Sequence, residues 1–170
     1  MTAYVALLRA VNVGGRKLLM SDLKAIAEEL GLGSPTTFIA SGNLLFISDK
    51  EEKEVAIMLE KAIGKHMGVD VPVMVRSTAE MAQIARDNPF ADQPGSKVIA
   101  IFLPAAPATN ALETADRIED EQLALGNREI YVAYPSGLGR SKLRLPAAAG
   151  GTARNMNSVG KIAALLKEME

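Results

Sequence analysis

The chain has 170 residues and no cysteine, with 19 lysines and arginines against 20 aspartates and glutamates. These counts exclude a disulfide framework, a thiolate metal site and a cysteine nucleophile, and the net charge of −1 excludes a uniformly basic nucleic-acid-binding protein. Hydrophobic residues make up 48 % of the chain, as expected for a globular protein with one ordinary domain or two small ones.

The first 76 residues predict the element order β-α-β-β-α-β. The apolar run Ala3–Leu8 indicates a strand that is buried on both faces. Two helices are indicated by apolar residues at helical spacing, and Ser21 is the expected N-cap of the first. The apolar stripe of the first helix is Leu23, Ile26, Ala27 and Leu30, and that of the second is Val55, Met58, Leu59, Ala62 and Ile63. The other predicted strands are Thr36–Ala40, Leu44–Ile47 and Val71–Val75.

This order is typical of a split βαβ, ferredoxin-like arrangement, with two helices on one face of a four-stranded antiparallel sheet. In the second half, Ser77 and Glu80 have the spacing of a capping box, which predicts a helix to about Asp87. The predicted fold class is therefore α+β. We expect a ferredoxin-like subdomain at residues 1–76 and a related, less regular α+β subdomain at residues 77–170, ending in a helix.

The rest of the second half predicts an incomplete repeat of the first, without a final strand. A strand, a short helix and a hairpin turning at Gly126-Asn127 are followed by a long loop rich in proline and glycine. Asn157 or Ser158 is the expected cap of the last helix. The predicted strand is Val98–Leu103 and the predicted short helix is Thr109–Arg117. The hairpin strands are Glu121–Leu125 and Glu129–Tyr134, and the long loop is Pro135–Gly151.

Charge is distributed unevenly along the chain. Residues 49–127 carry 8 basic and 14 acidic side chains, whereas residues 128–170 carry 7 basic and 3 acidic ones.

The apolar run at the N-terminus is too short for a signal sequence or a membrane span. A cytoplasmic protein without a membrane partner is therefore expected. The sequence does not determine the oligomeric state and is compatible with a monomer or a weak dimer.

Four polar clusters fall in segments predicted as loops or turns. Glycines in such segments let the backbone approach a ligand, and cations can neutralise an anion. Each cluster also fits an ordinary turn, loop or helix cap, and His66 fits a surface position near a helix C-terminus. The candidate ligand-binding residues are Arg9, Asn12, Gly14, Gly15 and Lys17; Ser41 and Asn43; Arg140, Ser141 and Lys142; and Arg154 and Asn155.

These clusters favour a protein that binds an anionic ligand, such as a nucleotide, a phosphorylated metabolite or a nucleic-acid segment. Arg154 is the favoured anchor, because a helix N-terminus beside it would attract the same anion. One alternative is a small transferase or hydrolase with Ser141 or Ser41 as nucleophile. Another is an interaction module whose basic loops meet an acidic partner. The sequence indicates no cofactor and no metal site. One shared site requires Arg9, Arg140 and Arg154 to lie close together.

Five segments of the chain carry a family resemblance: Leu7–Gly15, Ser41–Asn43, Asn88–Phe90, Tyr134–Lys142 and Thr152–Asn155. Through these segments the chain resembles the bacterial DUF1697 family, a domain of unknown function, which implies an α+β fold with ferredoxin-like halves. It departs from the family pattern at Ala10, where the family commonly has glycine, and at Met156, where it commonly has tryptophan.

Overall fold

Two antiparallel four-stranded sheets and four α-helices form the regular structure of the described residues. The computed structural model describes residues 1–11, 17–39 and 42–170. The chain divides into two compact units. Unit 1 comprises Met1–Ala82 and Ile162–Glu170, and unit 2 comprises Gln83–Lys161. Each unit holds one of the sheets.

The sheet of unit 1 has the strand order β2-β3-β1-β4, with every neighbouring pair antiparallel. A residue on β1 therefore has a hydrogen-bonded strand on either side. The elements of this unit are β1 (Thr2–Leu8), α1 (Met20–Glu29), β2 (Gly33–Thr37), β3 (Asn43–Ser48), α2 (Glu52–Met67) and β4 (Val73–Ser77).

Both helices pack on one face of this sheet. Alternate residues of β1, Tyr4, Ala6 and Leu8, belong to the same buried cluster as the apolar stripes of α1 and α2. The intervening residues Val5 and Leu7 are also buried. The prediction of a strand buried on both faces is thus confirmed, since both alternate sets of side chains in Ala3–Leu8 are buried.

Most of the local predictions in this unit are confirmed. The β2–β3 hairpin is antiparallel, and α2 ends at Gly68, which has the left-handed backbone expected of a C-terminal glycine. Two details were wrong. Leu19, not Ser21, is the N-cap of α1, and it forms no side-chain cap. Strand β2 begins at Gly33, earlier than the predicted Thr36, because Gly33 pairs with Ile47 across a bulge.

The predicted capping box is present at the start of α3 (Thr78–Arg86). The backbone N–H of Glu80 donates to Ser77 Oγ at 3.2 Å, and the backbone N–H of Ser77 donates to Glu80 Oε1 at 3.1 Å. Two N–H groups that the helix leaves unpaired are satisfied by this exchange. The helix ends just before Asn88-Pro89, as predicted.

The sheet of unit 2 has the order β6-β7-β5-β8, again fully antiparallel. Counted along the chain from β5, this is the same relative order as in unit 1. The strands are β5 (Val98–Phe102), β6 (Gln122–Leu125), β7 (Glu129–Ala133) and β8 (Thr152–Asn155), and α4 (Met156–Met169) follows directly. The predicted hairpin is confirmed as β6 and β7.

The final strand β8 corrects the prediction that this half lacks one. Thr152-Ala153-Arg154-Asn155 has no apolar alternation, yet it pairs with β5 along its whole length. The short helix predicted at Thr109–Arg117 was also wrong, because only a 3₁₀ turn at Ala111–Thr114 forms there. The N-cap of α4 is Asn155 rather than Asn157 or Ser158, because the helix begins at Met156 and the backbone N–H of Ser158 donates to Asn155 Oδ1.

Two buried arginines occupy equivalent places in the two sheets. Arg76 and Arg154 are the penultimate residues of β4 and β8, and each pairs with the central strand, opposite Val5 and Ala100 respectively. Each guanidinium donates through Nη1 to the carbonyl oxygen of the preceding residue, at 3.0 and 2.9 Å. The two units therefore repeat one structural junction that their sequences do not reveal.

The residue after each arginine caps the following helix in the same way. Ser77 accepts the backbone N–H of the residue three positions ahead, and Asn155 Oδ1 accepts that of Ser158 at 2.9 Å. Both side-chain oxygens satisfy an N–H of the first helical turn. Each strand thus leads into its helix through an arginine and a capping residue.

The observed division into units differs from the predicted boundary at residue 76. The first unit extends to Ala82 and also includes the end of α4. The backbone N–H of Ala3 donates to Glu170 Oε1 at 3.1 Å, which ties the C-terminus to β1. Within the described residues, no helix is long and apolar enough to cross a bilayer.

Candidate functional site

The N-terminal candidate residues are divided between described and undescribed parts of the chain. Asn12, Gly14, Gly15 and Ser41 lie outside the described residues. Arg9 follows β1 and its backbone N–H donates to Pro72 O at 3.0 Å, and Lys17 is exposed. Both belong to unit 1, so the proposed sharing of one site with Arg140 and Arg154 stays a prediction.

Asn43 has a structural role in the β2–β3 hairpin. It is fully buried, and its Nδ2 donates to Phe38 O at 2.8 Å, while Asn43 O accepts the backbone N–H of Phe38 at 3.0 Å. These hydrogen bonds fix the entry into β3, next to Gly42. Ala10 has a φ of +57°, a left-handed conformation that glycine adopts with less strain than alanine.

Arg154, the favoured anchor, is buried within its own sheet. Its side chain is 7 % exposed, and Nη1 donates to Thr152 Oγ1 at 2.8 Å as well as to Ala153 O. Burial lowers the pKa of the guanidinium to about 10, because the charged form loses hydration. These contacts tie the arginine to β8 and leave it little surface for a solvent-borne anion.

The N-terminus of α4 is covered as well as capped. Asn155 already accepts one of its free N–H groups, and Gly95 lies directly against Asn157. A Cβ at Gly95 would come within 3.1 Å of the backbone nitrogen of Asn157. The helix terminus is therefore closed by the protein itself, which leaves little room for a phosphate there.

The loop after β7 is held by contacts at its beginning and middle. Lys97 Nζ donates to Pro135 O at 3.0 Å, and the hydroxyl of Ser136 donates to the Asp120 carboxylate. Ser141 Oγ accepts the backbone N–H of Leu143 at 3.2 Å, so this hydroxyl serves a local turn. No described base lies against it, and nothing in this geometry favours Ser141 as a nucleophile.

Residues 140–145 alternate between solvent and core. Arg140, Lys142 and Arg144 are exposed, whereas Leu143 and Leu145 pack against the buried cluster of unit 2. We call these three cations the basic strip. Arg144 was missed by the sequence analysis, although the alternation R-S-K-L-R-L, with period two, was the signal that could have found it.

The basic strip is held in place but not neutralised. Asp116 and Arg144 exchange two backbone hydrogen bonds, at 2.8 and 2.9 Å, which pins the end of the strip to the neighbouring segment. Within the described residues, no carboxylate lies within 4 Å of any of the three charged groups. Three exposed cations on an ordered backbone can therefore meet an anion from solvent.

A cavity in unit 2 has the opposite character. It measures about 240 Å³ and lies between the end of α3 and the β6–β7 hairpin. Its polar lining includes the carboxylates Asp87 and Glu129 and the amides Gln83 and Asn127, with no lysine or arginine among the described lining residues. Glu129 is only 3 % exposed. The described lining therefore offers an anion two carboxylates and no cation.

Tyr131 lies in the wall of this cavity. Its hydroxyl donates to Ile84 O at 2.9 Å. Burial, assisted by the neighbouring charges of Glu129 and Asp87, raises the pKa of Tyr131 to about 12. The phenol therefore remains a hydrogen-bond donor at all physiological pH values and cannot act as a base there.

Replacing Tyr131 with phenylalanine is expected to give a pH-dependent loss of stability. At pH 8 the variant loses one buried hydrogen bond, which costs about 1 kcal/mol. The pKa of Tyr131 is about 12 in the folded protein and about 10 in the unfolded chain, so the neutral phenol favours the folded state fully below pH 10. This contribution to stability is lost as the pH rises from 10 through 12, because the unfolded chain then ionises first. In urea unfolding, the stability advantage of the wild type over the variant should shrink as the pH rises through that window and should reverse in sign toward its upper end. A constant gap would contradict the raised pKa.

A groove in unit 1 lies between α1 and α2. Its lining includes His66 and Lys65 of α2 and Ile26, Glu29 and Leu30 near the end of α1. His66 is a surface residue in the last turn of its helix, as predicted, and its Nε2 lies 3.5 Å from Asp22 Oδ2. With charges of both signs at its rim, this groove has no selective preference for anions.

The fold and the surface together define a class: an α+β protein with two antiparallel four-stranded sheets and an exposed basic strip on the second unit. Residues 1–131 match the family described as "Protein of unknown function (DUF1697)". The chain belongs to this family, as the resemblance predicted. The basic strip and β8 lie beyond the matched residues. No curated protein matches the chain.

A solved structure supports the fold. The conserved bacterial protein SP0830 from Streptococcus pneumoniae superposes with a TM-score of 0.80 over 97 % of this chain and 98 % of that one, at 22 % identity. At this identity the likeness establishes the architecture alone. Met156 is buried at the start of α4, the environment of a packing residue.

Proposed function

We propose that this protein binds a phosphate-bearing or other anionic ligand on unit 2 through the basic strip. The observation that carries the proposal is the alternation at residues 140–145, which turns three cations to solvent over a leucine anchor. Charge-assisted hydrogen bonds to an anion are shorter and stronger than neutral ones. Arginine at both ends of the strip adds the planar, two-pronged geometry that phosphate groups favour.

The order of the backbone supports the same proposal. An anion that binds mobile side chains must also order the chain that carries them, which costs free energy. Here the two backbone hydrogen bonds between Asp116 and Arg144, together with the packing of Leu143, already hold the backbone of the strip in place. Ser141, Asn155 and Arg154 are not part of the proposed site. Ser141 stabilises a local turn, Asn155 caps α4, and Arg154 is hydrogen-bonded within β8.

Replacing Arg140 and Lys142 together with alanine is expected to weaken anion binding about tenfold or more, since each charged contact is worth roughly 1 kcal/mol on an exposed surface. The measurement is isothermal titration calorimetry with pyrophosphate and with ATP at low salt. Thermal unfolding should be nearly unchanged, because both side chains are exposed.

The matched control is Lys53→Ala with Lys61→Ala, which removes two exposed cations from α2 in unit 1. This control should bind as the wild type does. The proposal fails if wild type binds neither anion, or if the control loses as much affinity as the strip variant does.

We also infer that each unit has a ferredoxin-like ancestry. The order β2-β3-β1-β4 is that of a split βαβ sheet, and β6-β7-β5-β8 repeats it. The repeated junction of Arg76 and Arg154 with their capping residues supports the inference. In unit 2 the two crossover helices of such a fold correspond to short 3₁₀ turns, which leaves the Pro135–Gly151 segment available to carry the basic strip.

A further inference from the structure

Resting on the anion-binding function, we propose that the ligand of the basic strip is the phosphodiester backbone of a nucleic-acid strand. The three cations stand at every second residue of the chain: Arg140 ends a 3₁₀ turn (Leu138–Arg140), the backbone is extended at Ser141, and Lys142 and Arg144 follow. An extended chain rises about 3.3 Å per residue, so residues two positions apart are attached at most roughly 6–7 Å from each other. A ligand that repeats its charges along a chain matches this order of cations.

The openness of the strip favours a polymer over a small metabolite. Small ligands bind in concave sites that bury most of their surface. Arg140, Lys142 and Arg144 are all exposed to solvent. A small anion would meet one or two of the cations, whereas a strand can meet all three in succession.

The spacing favours a phosphodiester over a phosphoanhydride chain. Successive phosphates of a nucleic-acid strand are separated by a sugar, a distance comparable with that between neighbouring cations on the strip. Phosphates in a polyphosphate share one bridging oxygen and lie much closer together. One cation per phosphate is thus possible along a nucleic-acid backbone and not along a polyphosphate.

The residues around the strip predict binding that ignores base sequence. Single-strand binding proteins that grip the bases use exposed aromatic side chains for stacking. Tyr134, the aromatic residue next to this loop, is half-buried, and Leu138 is the large exposed apolar side chain beside Arg140. Contacts here are therefore made to phosphates alone, and the affinity comes from the release of counterions.

The test is fluorescence anisotropy with labelled single-stranded oligonucleotides of two to eight nucleotides, from 20 to 200 mM salt. Neutralising three phosphates predicts a slope of about −2 for log K against log salt, or roughly 100-fold weaker binding over this range. Affinity should rise up to about four nucleotides, and two sequences of equal length should bind alike.

The variant Arg140→Gln with Lys142→Gln and Arg144→Gln should bind at least tenfold more weakly and with a slope near zero. The matched control is Lys24→Gln with Lys53→Gln and Lys61→Gln, which removes the same charge from exposed positions in unit 1. This control should keep the slope of the wild type. Equal losses in both triple variants would overturn the proposal, since net charge alone would then explain binding.

Competition with ATP, tripolyphosphate and polyglutamate separates this inference from the proposed function. If ATP or tripolyphosphate displaces the oligonucleotide at equal phosphate concentration, anion binding stands and the nucleic-acid assignment is overturned. If polyglutamate competes as well, the ligand is an acidic protein segment instead. If no polyanion binds the strip, both proposals fail together.

Discussion

Replacing Gly42 with alanine should lower the free energy of unfolding by about 2–4 kcal/mol, from backbone strain and overpacking together. Gly42 has a φ of +91°, where an L-residue is strained. A Cβ there would lie 2.6 Å from Val11 Cγ2 and 3.0 Å from Leu8 Cβ, and both neighbours are buried. Neither can move without disturbing the core, so the strain and the overlap add. Urea unfolding gives the measurement.

Two other glycines separate these causes. Gly31 also has a positive φ, of +78°, but a Cβ there would meet nothing within 4 Å. Gly139 has neither a positive φ nor a neighbour within that distance. The expected order of destabilisation by alanine is therefore Gly42, then Gly31, then Gly139, with about 1 kcal/mol or more for Gly31 and almost none for Gly139. If Gly42→Ala costs no more than Gly31→Ala, the close approach to Val11 is not a constraint.

Replacing Arg154 with alanine should cost about 2–4 kcal/mol in stability and should leave anion binding on the strip largely intact. The change removes the hydrogen bonds to Thr152 Oγ1 and Ala153 O, and it leaves a cavity where the long side chain packed. Relief from burying a charge offsets part of this loss. Arg154→Met, which refills the space without the donors, should fall between alanine and wild type.

Arg140→Ala is the comparison that distinguishes structure from binding. Arg140 is exposed, so its loss should reduce affinity for anions while the unfolding transition hardly changes. The opposite pattern is expected for Arg154, whose loss should lower stability first. If Arg154→Ala folds as stably as wild type and abolishes anion binding, Arg154 is the ligand anchor and the assignment to the strip is wrong.

Arg140 and Arg154 show why a basic motif identified in the sequence can serve either ligand binding or structural support. Both lie in the basic C-terminal quarter, and both adjoin serine, asparagine or glycine residues. The neighbouring residues in the sequence do not determine which one reaches solvent. Arg154 is on a strand whose alternation points it inward, whereas Arg140 precedes an extended segment whose leucines point inward instead.

Local signals predicted much of the fold. Ser77 and Glu80 specified a capping box because both partners lie within one helical turn. Val55, Leu59 and Ile63 specified the buried face of α2 for the same reason, since helical spacing is a property of the segment alone. The β6–β7 hairpin was also readable, although the ends of its strands shifted by a residue.

The sequence by itself determined the family, the α+β class, and the elements whose signals are contained in one turn or one stripe. Only the tertiary structure decided that Thr152–Asn155 is a strand, because its pairing depends on the free edge of β5, a partner some fifty residues away. The same structure decided which cations face solvent, since burial of Leu143 and Leu145 turns Arg144 outward. Charge and spacing can be read along the chain, whereas exposure depends on what the rest of the chain packs against it.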